Sequence, residues 1–398
     1  MSLMDALAKQ SAGTTRPSPE QTHNGRIEEP LDALICALLR ADPAARDNWH
    51  FGTGERLLAR ARHHGLHLVV SAALLADSEM SPDIDRVPLA ESIRHAAAQE
   101  MARAAAVSRL LQASADAGVR PLLLKGDALA ATVYPVPYIR PRSDTDLLIP
   151  VGDRRAMERT LISCGYVPAV ESLGSFVSFQ NHWTTCGPAH VVHAVDLHWR
   201  PFNTEVFAGV LGFEEMSADA LEVTAFRHGR APSLEHHLIL TAVHRVAHHY
   251  DAGRLLWLYD IALLVRVLGA ERIDRAADLA IARGVGPVVA RGIGRAVDAF
   301  GGSIPDETRR RLDCSPMDSR RAIFLDGRPH QVDILRADLA MLQGWDARAR
   351  LLREHLFPSA AYMRARYPRC PALLLPFAYL DRVVRGVPKW FARPTLTS

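Results

Sequence analysis

The stretch LLLKGDALAATVYPVPYIRPRSDTDLLIP, residues 122–150, decides the fold. It begins with three leucines and Lys125-Gly126, after which Leu129 and Val133 recur at helical spacing. This pattern predicts a buried strand that turns directly into a helix. Three prolines then impose an extended loop, and DTDLLIP predicts a second strand. Further β-branched and aromatic segments, FVSFQ and VVHAVDLHW, predict more strands.

Helical periodicity lies on both sides of this α/β unit. Leucine and alanine recur at three and four residues over 31–117 and again from about Ser217. The segment before them is rich in Ser, Thr, Pro, Gln and Gly, which is typical of a disordered leader. We therefore expect an α+β protein, with a mixed sheet and its flanking helices between two helical regions. The predicted division is a leader over 1–30, a helical region over 31–117, the core over 118–215, a helical domain over 216–315 and a helical or irregular extension over 316–398.

Composition excludes several classes of protein. Hydrophobic residues make up 48% of the 398 residues and charged residues 23%, which is ordinary for a globular protein and unlike a disordered one. The net charge of +3 does not indicate a nucleic-acid binder. The five cysteines have no CxxC spacing, so neither a zinc knuckle nor a disulfide framework is indicated. With no signal-peptide core and no apolar run of about 18 residues, we expect a cytoplasmic protein without a transmembrane segment.

Acidic residues alternate on two of the predicted strands. Asp144 and Asp146 point to one face of their strand, and the same alternation places Asp196 and His198 on one face of another. If the two strands are neighbours, three carboxylates converge. Two unit charges 4 Å apart repel by about 4 kcal/mol at an effective dielectric constant of 20, and a cation would offset that repulsion. Hard oxygen ligands suit Mg²⁺, with Mn²⁺ as the alternative.

The Asp-x-Asp pattern alone is a weak signal, because Asp83 and Asp85 also match it and predict a turn. Lys125-Gly126 at the strand-to-helix junction makes the functional interpretation stronger. A glycine there lets backbone approach a phosphate, free N–H groups at a helix start favour anions, and a lysine adds a point charge. The alternative is that Gly126 only makes a turn, Asp127 caps the helix and Lys125 is solvated.

The residues over 122–150, followed by a Gly-Tyr pair and then VDLHWR at 195–200, resemble the uncharacterised nucleotidyltransferase family of the DNA polymerase beta superfamily. The resemblance covers roughly residues 60–320 and is most specific over 120–200. It implies a polymerase-beta-like nucleotidyltransferase core as the catalytic unit, with a divalent-metal site for nucleotidyl transfer.

The resemblance also implies roles for individual residues. Asp144 and Asp146 would be the paired catalytic metal ligands, and Asp196 the third carboxylate. His198 is expected, from the strand face that it shares with Asp196 rather than from the resemblance, to be either a site neighbour that binds substrate or shuttles a proton, or a packing residue. One departure is Gly126-Asp127, where the wider superfamily has Gly-Gly or Gly-Ser. The residues expected along the nucleotide are Lys125, Gly126, Arg140 and Ser143.

The expected function is Mg²⁺-dependent transfer of a nucleotidyl group from an NTP, ATP among them, to an acceptor hydroxyl or phosphate, with release of pyrophosphate. A small molecule, peptide or protein is favoured over nucleic acid as the acceptor. One alternative is a tailoring transferase that uses a nucleotide-sugar or another phosphate donor, which Asp127 keeps open. The other is a non-catalytic domain that binds a nucleotide or a partner.

Three further features have plainer interpretations. His244 and His248 lie one helical turn apart with His249 beside them, a spacing that can bind zinc but here lacks an HExxH glutamate and a third ligand. We therefore expect a solvated or hydrogen-bonded helix face that could line an acceptor pocket.

Asp260 lies among apolar residues and needs a partner, for which an arginine such as Arg254 or Arg266 is the simplest candidate. The segment PALLLPFAYLDRVVRGVPKWFARP is expected to pack on the body or, alternatively, to lie on a membrane surface.

Overall fold

A computed structural model of the chain describes residues 30–50, 52–77, 84–169, 179–186, 192–327 and 329–390. The predicted leader lies outside these residues except for Pro30. The predicted strand FVSFQ falls mostly outside them as well, and the described strand in that region begins at Gln180. The α+β class with a mixed sheet is confirmed.

Five strands form the main sheet in the order β1-β2-β5-β4-β3. β2 pairs in parallel with β5, and the other neighbours are antiparallel. The two strands with acidic residues are therefore neighbours, as the prediction of converging carboxylates requires. The strands are β1 (Leu122–Leu124), β2 (Asp144–Leu148), β3 (Val167–Pro168), β4 (Gln180–Cys186) and β5 (Val192–His198).

Helices flank the sheet and account for most of the described chain. A short hairpin of β6 (Leu221–Glu222) and β7 (Arg230–Ala231) interrupts the region that was predicted as purely helical from Ser217 onward. The helices are α1 (Pro30–Leu39), α2 (Ala44–Asp47), α3 (Thr53–His64), α4 (His67–Ala76), α5 (Arg86–Asp116), α6 (Lys125–Thr132), α7 (Arg154–Ser163), α8 (Glu205–Ala208), α9 (Phe213–Ala218), α10 (Leu234–Ala247), α11 (Leu255–Ala282), α12 (Gly286–Phe300), α13 (Asp306–Asp313), α14 (Ser319–Ala322), α15 (Gln331–Met341), α16 (Trp345–Leu356), α17 (Ala360–Arg366) and α18 (Leu375–Trp390).

The two faces of the sheet bury different residues. Leu147, Val195 and Trp183 belong to a cluster with α5 and α7. On the opposite face, Leu124 and Leu148 join a larger core that contains α1, α3, α4 and α10 to α12. Because side chains alternate along a strand, the acidic residues of β2 and β5 share this second face. It lies toward the helices that follow the sheet in the chain.

The junction between β1 and α6 has an unusual backbone. Lys125 has φ 45°, in the left-handed region that side chains other than glycine rarely adopt. Gly126 follows it in close packing, because a Cβ on this residue would lie 3.0 Å from Arg140 Nη1 and 3.3 Å from Arg142 Cδ. The glycine is therefore required by two arginine side chains.

Candidate functional site

The pairing of β2 with β5 places acidic residues side by side. Asp146 is opposite Asp196 and Asp144 is opposite Ala194, so the carboxylates share one face of the sheet. Leu124 of β1 pairs with Asp146 from the other side. Lys125, the next residue, can therefore reach the same carboxylate.

Asp146 is the centre of the site. One of its oxygens, Oδ1, lies 2.9 Å from Lys125 Nζ and 2.8 Å from His198 Nε2. The residue is only 7% exposed. Burial alone would raise the pKa of this carboxyl, but the Lys125 ammonium and the hydrogen bond from His198 hold the pKa well below its usual value. Asp146 is therefore an anion throughout the neutral range.

Asp196 has partners on the next strand. His182 Nδ1 lies 2.6 Å from Asp196 Oδ1, and Gln180 donates to Oδ2 at 3.4 Å. Both partners come from β4, whose antiparallel register with β5 aligns His182 with Asp196. Sequence reasoning missed His182 and Gln180. Their alternation in QNHWT was a signal, but the pairing of β4 with β5 was needed to use it.

Asp144 stands at the start of β2 and is partly exposed. Partial burial raises the pKa of this carboxyl, and the negative charges of Asp146 and Asp196 raise it further. Arg103 of α5 donates to the Asp144 backbone oxygen at 3.1 Å and so fixes the strand start. The positive charges of Lys125 and Arg103 lower the pKa of Asp144 and offset part of this rise.

The donor atoms fit a divalent cation. Within the described part of the chain, Asp146, Asp196 and His198 form the one group of three or more potential ligands whose atoms lie within 4.8 Å of one another. The sequence predicted Asp144, Asp146 and Asp196 as the metal ligands and His198 as a neighbour. The structure groups His198 with Asp146 and Asp196 and does not include Asp144 in this set. Two carboxylates and an imidazole suit Mn²⁺ and similar metals, and carboxylates with water suit Mg²⁺. The metal's identity is not determined by this set.

The residues predicted along the nucleotide lie in different surroundings. Lys125 is at the site. Ser143 is exposed directly before β2. Arg140 is 7% exposed and forms a two-pronged ion pair with Asp260 of α11, at 2.9 and 2.7 Å. These bonds use its Nε and Nη2, and its Nη1 lies on the Gly126 side. Asp260 therefore pairs with an arginine, as predicted, but that arginine is Arg140 and not Arg254 or Arg266.

Asp127 neither caps its helix nor faces the site. It is fully buried, and Arg142 donates to its Oδ1 at 2.6 Å. The same guanidinium contacts both oxygens of Glu100 on α5 at 2.5 Å. This unusual carboxylate therefore joins α6 to α5 and to the loop before β2.

A group of histidines borders the site at the C-terminal end of α10, a helix that packs against α6. The rings of His244 and His248 stack 4.6 Å apart, and His249 stacks on Trp257 at 3.9 Å. Burial lowers the pKa of all three imidazoles, and the nearby charge of Lys125 lowers them further, that of His249 to about 4. They are neutral at pH 7. We call His244, His248 and His249 the histidine face.

A family model described as an uncharacterised nucleotidyltransferase matches residues 53–301. The matched part contains the five-stranded sheet, the acidic cluster and the histidine face. A comparison with curated proteins gave no match.

Proposed function

Because the chain belongs to the uncharacterised nucleotidyltransferase family that matches its residues 53–301, we propose that it transfers a nucleotidyl group from an NTP to an acceptor hydroxyl or phosphate and releases pyrophosphate. The metal would be Mg²⁺, with Mn²⁺ as the alternative. The observation that carries this proposal is the juxtaposition of Asp146, Asp196 and His198 on neighbouring strands, with Lys125 on the same carboxylate oxygen.

In this proposal each residue of the site has its own role. Asp146 and Asp196 hold the metal, with His198 or Asp144 as a further ligand. A divalent cation bound there would neutralise phosphate charge and lower the pKa of the attacking oxygen. Lys125 stands beside the carboxylates and supplies a positive charge for the phosphates of the donor. His182 holds the orientation of the Asp196 carboxylate through its 2.6 Å contact.

The donor and the acceptor approach from different sides in this arrangement. The turn between β1 and α6 presents Lys125 to the phosphates, and the helix start adds backbone N–H groups. The histidine face lies at the C-terminal end of α10 and in the residues that follow it, and it offers neutral, planar rings. Such rings favour an uncharged or aromatic part of a ligand over a phosphate. We therefore assign the histidine face to the acceptor or to the base of the nucleotide.

The alternative of a nucleotide-sugar or other phosphate donor rested on Asp127. That carboxylate is buried on Arg142 and so has no contact with the phosphate side of the turn. Asp127→Ser tests the point: we expect lower stability, because Arg142 loses a buried anion, and no change in donor preference. A changed donor preference at unchanged stability would restore the alternative.

The experiment for the main proposal is a titration of each NTP by calorimetry, with and without Mg²⁺, on the wild type, Asp144→Asn and Asp146→Asn. We expect binding that requires the metal and is weakened at least about tenfold in Asp146→Asn, which corresponds to about 1.4 kcal/mol. Asp298→Asn, at an exposed position of α12, is the matched control and should bind as the wild type does. Titration with Mn²⁺, observed by electron spin resonance, reports the metal site without a nucleotide. A folded wild type that binds no NTP would refute the proposal, and metal-dependent binding without any turnover would favour the non-catalytic alternative.

A further inference from the structure

Positive charge is concentrated at the end of the chain. Residues 345–398 contain ten Lys and Arg against three Asp and Glu, while the rest of the chain contains 37 against 41. The segment therefore carries a formal charge of +7 and the remainder −4. The small overall charge of +3 conceals this asymmetry.

Exposed apolar side chains are concentrated in the same segment. Of the fourteen large apolar residues that are exposed in the described part of the chain, eight lie within 40 consecutive residues. Monomeric proteins commonly expose single apolar residues, whereas a concentration of them in one part of the chain is a feature of interaction surfaces. The eight are Trp345, Leu352, Phe357, Leu373, Leu374, Phe377, Leu380 and Val384.

Helix α18 presents part of this group as a stripe. Phe377, Leu380 and Val384 are spaced by three and four residues, which places them on one side of the helix, and they are 61–67% exposed. The other side is fixed to the protein: Ala378 is buried, and Tyr379 donates to the Pro358 carbonyl at 2.7 Å. The stripe is therefore held outward by the packing of the helix.

Exposed arginines lie in the same part of the chain as the apolar stripe. Arg364, Arg366 and Arg369 are all exposed just before α18, and Arg385 is exposed on the helix itself. A helix with aliphatic and aromatic residues on one side, with arginines around it, is the pattern that binds the interface of a membrane containing anionic lipids. Each basic residue near such a surface adds to the attraction.

We propose that residues 345–390 form a docking surface for an anionic lipid membrane, on which the protein lies without crossing it. Among the described residues, no helix combines the length and the apolarity needed to span a bilayer. A second copy of the chain fits the surface poorly, because two segments of like charge would face each other. Nucleic acid would match the charge but would leave the Phe377, Leu380 and Val384 stripe without an apolar partner.

The test is sedimentation of the full-length protein with vesicles. We expect binding to vesicles of phosphatidylcholine mixed with phosphatidylglycerol, little binding to pure phosphatidylcholine, and a loss of binding at high salt because the charges are screened. Replacing the three stripe residues together by serine should weaken partition at least about tenfold, since burial of even one such side chain is worth about 1.5–3 kcal/mol. The matched control replaces three exposed apolar residues elsewhere by serine and should bind as the wild type does. The control positions are Val87, Ile162 and Val267.

A second variant keeps the proposal testable if the stripe variant fails to fold. Arg364→Gln, Arg366→Gln and Arg369→Gln together should weaken binding to the anionic vesicles without changing the apolar stripe. The same change at three exposed arginines outside the segment should not. Three results would overturn the proposal. They are no vesicle binding by the wild type, binding by both variants that equals that of the wild type, or a wild-type dimer in light scattering that binds no vesicles and becomes a monomer in the serine variant. The control arginines are Arg56, Arg155 and Arg309.

Discussion

The ion pair between Arg140 and Asp260 supports a quantitative prediction. The Asp260 side chain is 1% exposed, and it accepts two bonds from Arg140 and one from the Tyr134 hydroxyl at 2.7 Å. Removing one member of a buried pair costs about 3–5 kcal/mol, because the other charge is left uncompensated. We therefore expect Asp260→Leu to lower the free energy of unfolding by about that amount, a large share of the 5–15 kcal/mol typical of a folded domain.

A double-mutant cycle separates the pair from general damage. Arg140→Met should cost about as much as Asp260→Leu, while the double variant should be much closer to the wild type, since well-packed apolar residues can replace a buried ion pair at little cost. Glu271→Gln is the control on the same helix: its ion pair with Arg275 is exposed, so the change should be worth less than about 1 kcal/mol. Denaturation followed by tryptophan fluorescence gives all four values. Single variants that cost under about 1 kcal/mol, or a double variant that costs the sum of the two, would refute the reasoning.

Two further predictions concern stability. Gly126→Ala should destabilise the protein by about 1–3 kcal/mol, because the new Cβ would press on Arg140. Gly294→Ala lies in open space within α12 and should stabilise the protein by up to about 1 kcal/mol. Thermal melting of both variants measures the two changes in stability. Burial raises the pKa of Asp338 to about 7 from a usual 3.8. As the pH rises, the Asp338 carboxyl therefore stays protonated to a higher pH in the folded state than in the unfolded state. The stability of the wild type relative to Asp338→Asn should therefore fall as the pH rises from about 4 to 7 and be constant above that window, as denaturation at several pH values would show. A stability difference between the wild type and Asp338→Asn that does not change with pH would contradict this prediction.

The acidic site was predictable to the extent that alternation along a strand is a local property. Asp144 and Asp146 share a face because side chains repeat every two residues, and Asp196 and His198 do so for the same reason. Adjacency of the two strands was a separate assumption, and the parallel pairing of β2 with β5 confirms it. The strand-to-helix turn at Lys125 was also predictable from local sequence, since three leucines precede the lysine and a glycine follows it.

Contacts between distant parts of the chain were not predictable in this way. Arg140 and Asp260 are 120 residues apart, and nothing in the spacing near Asp260 distinguishes Arg140 from the nearer Arg254 and Arg266. The partner of a buried charge depends on which helices pack together, a tertiary property that sequence periodicity does not carry. The contact of His182 with Asp196 depended on the register of β4 for the same reason.

Asp127 shows how a departure from a family pattern can have a structural cause. The wider pattern has a small residue at this turn, which invites the interpretation that a carboxylate there alters the donor. Its side chain instead pairs with Arg142, which also binds Glu100. Arg142 itself donates to the Pro137 and Arg140 carbonyls at 3.0 and 3.1 Å, so the carboxylate fixes the loop that leads into β2. Asp127 therefore has a structural role in this loop, which ends where the strand that carries Asp144 and Asp146 begins.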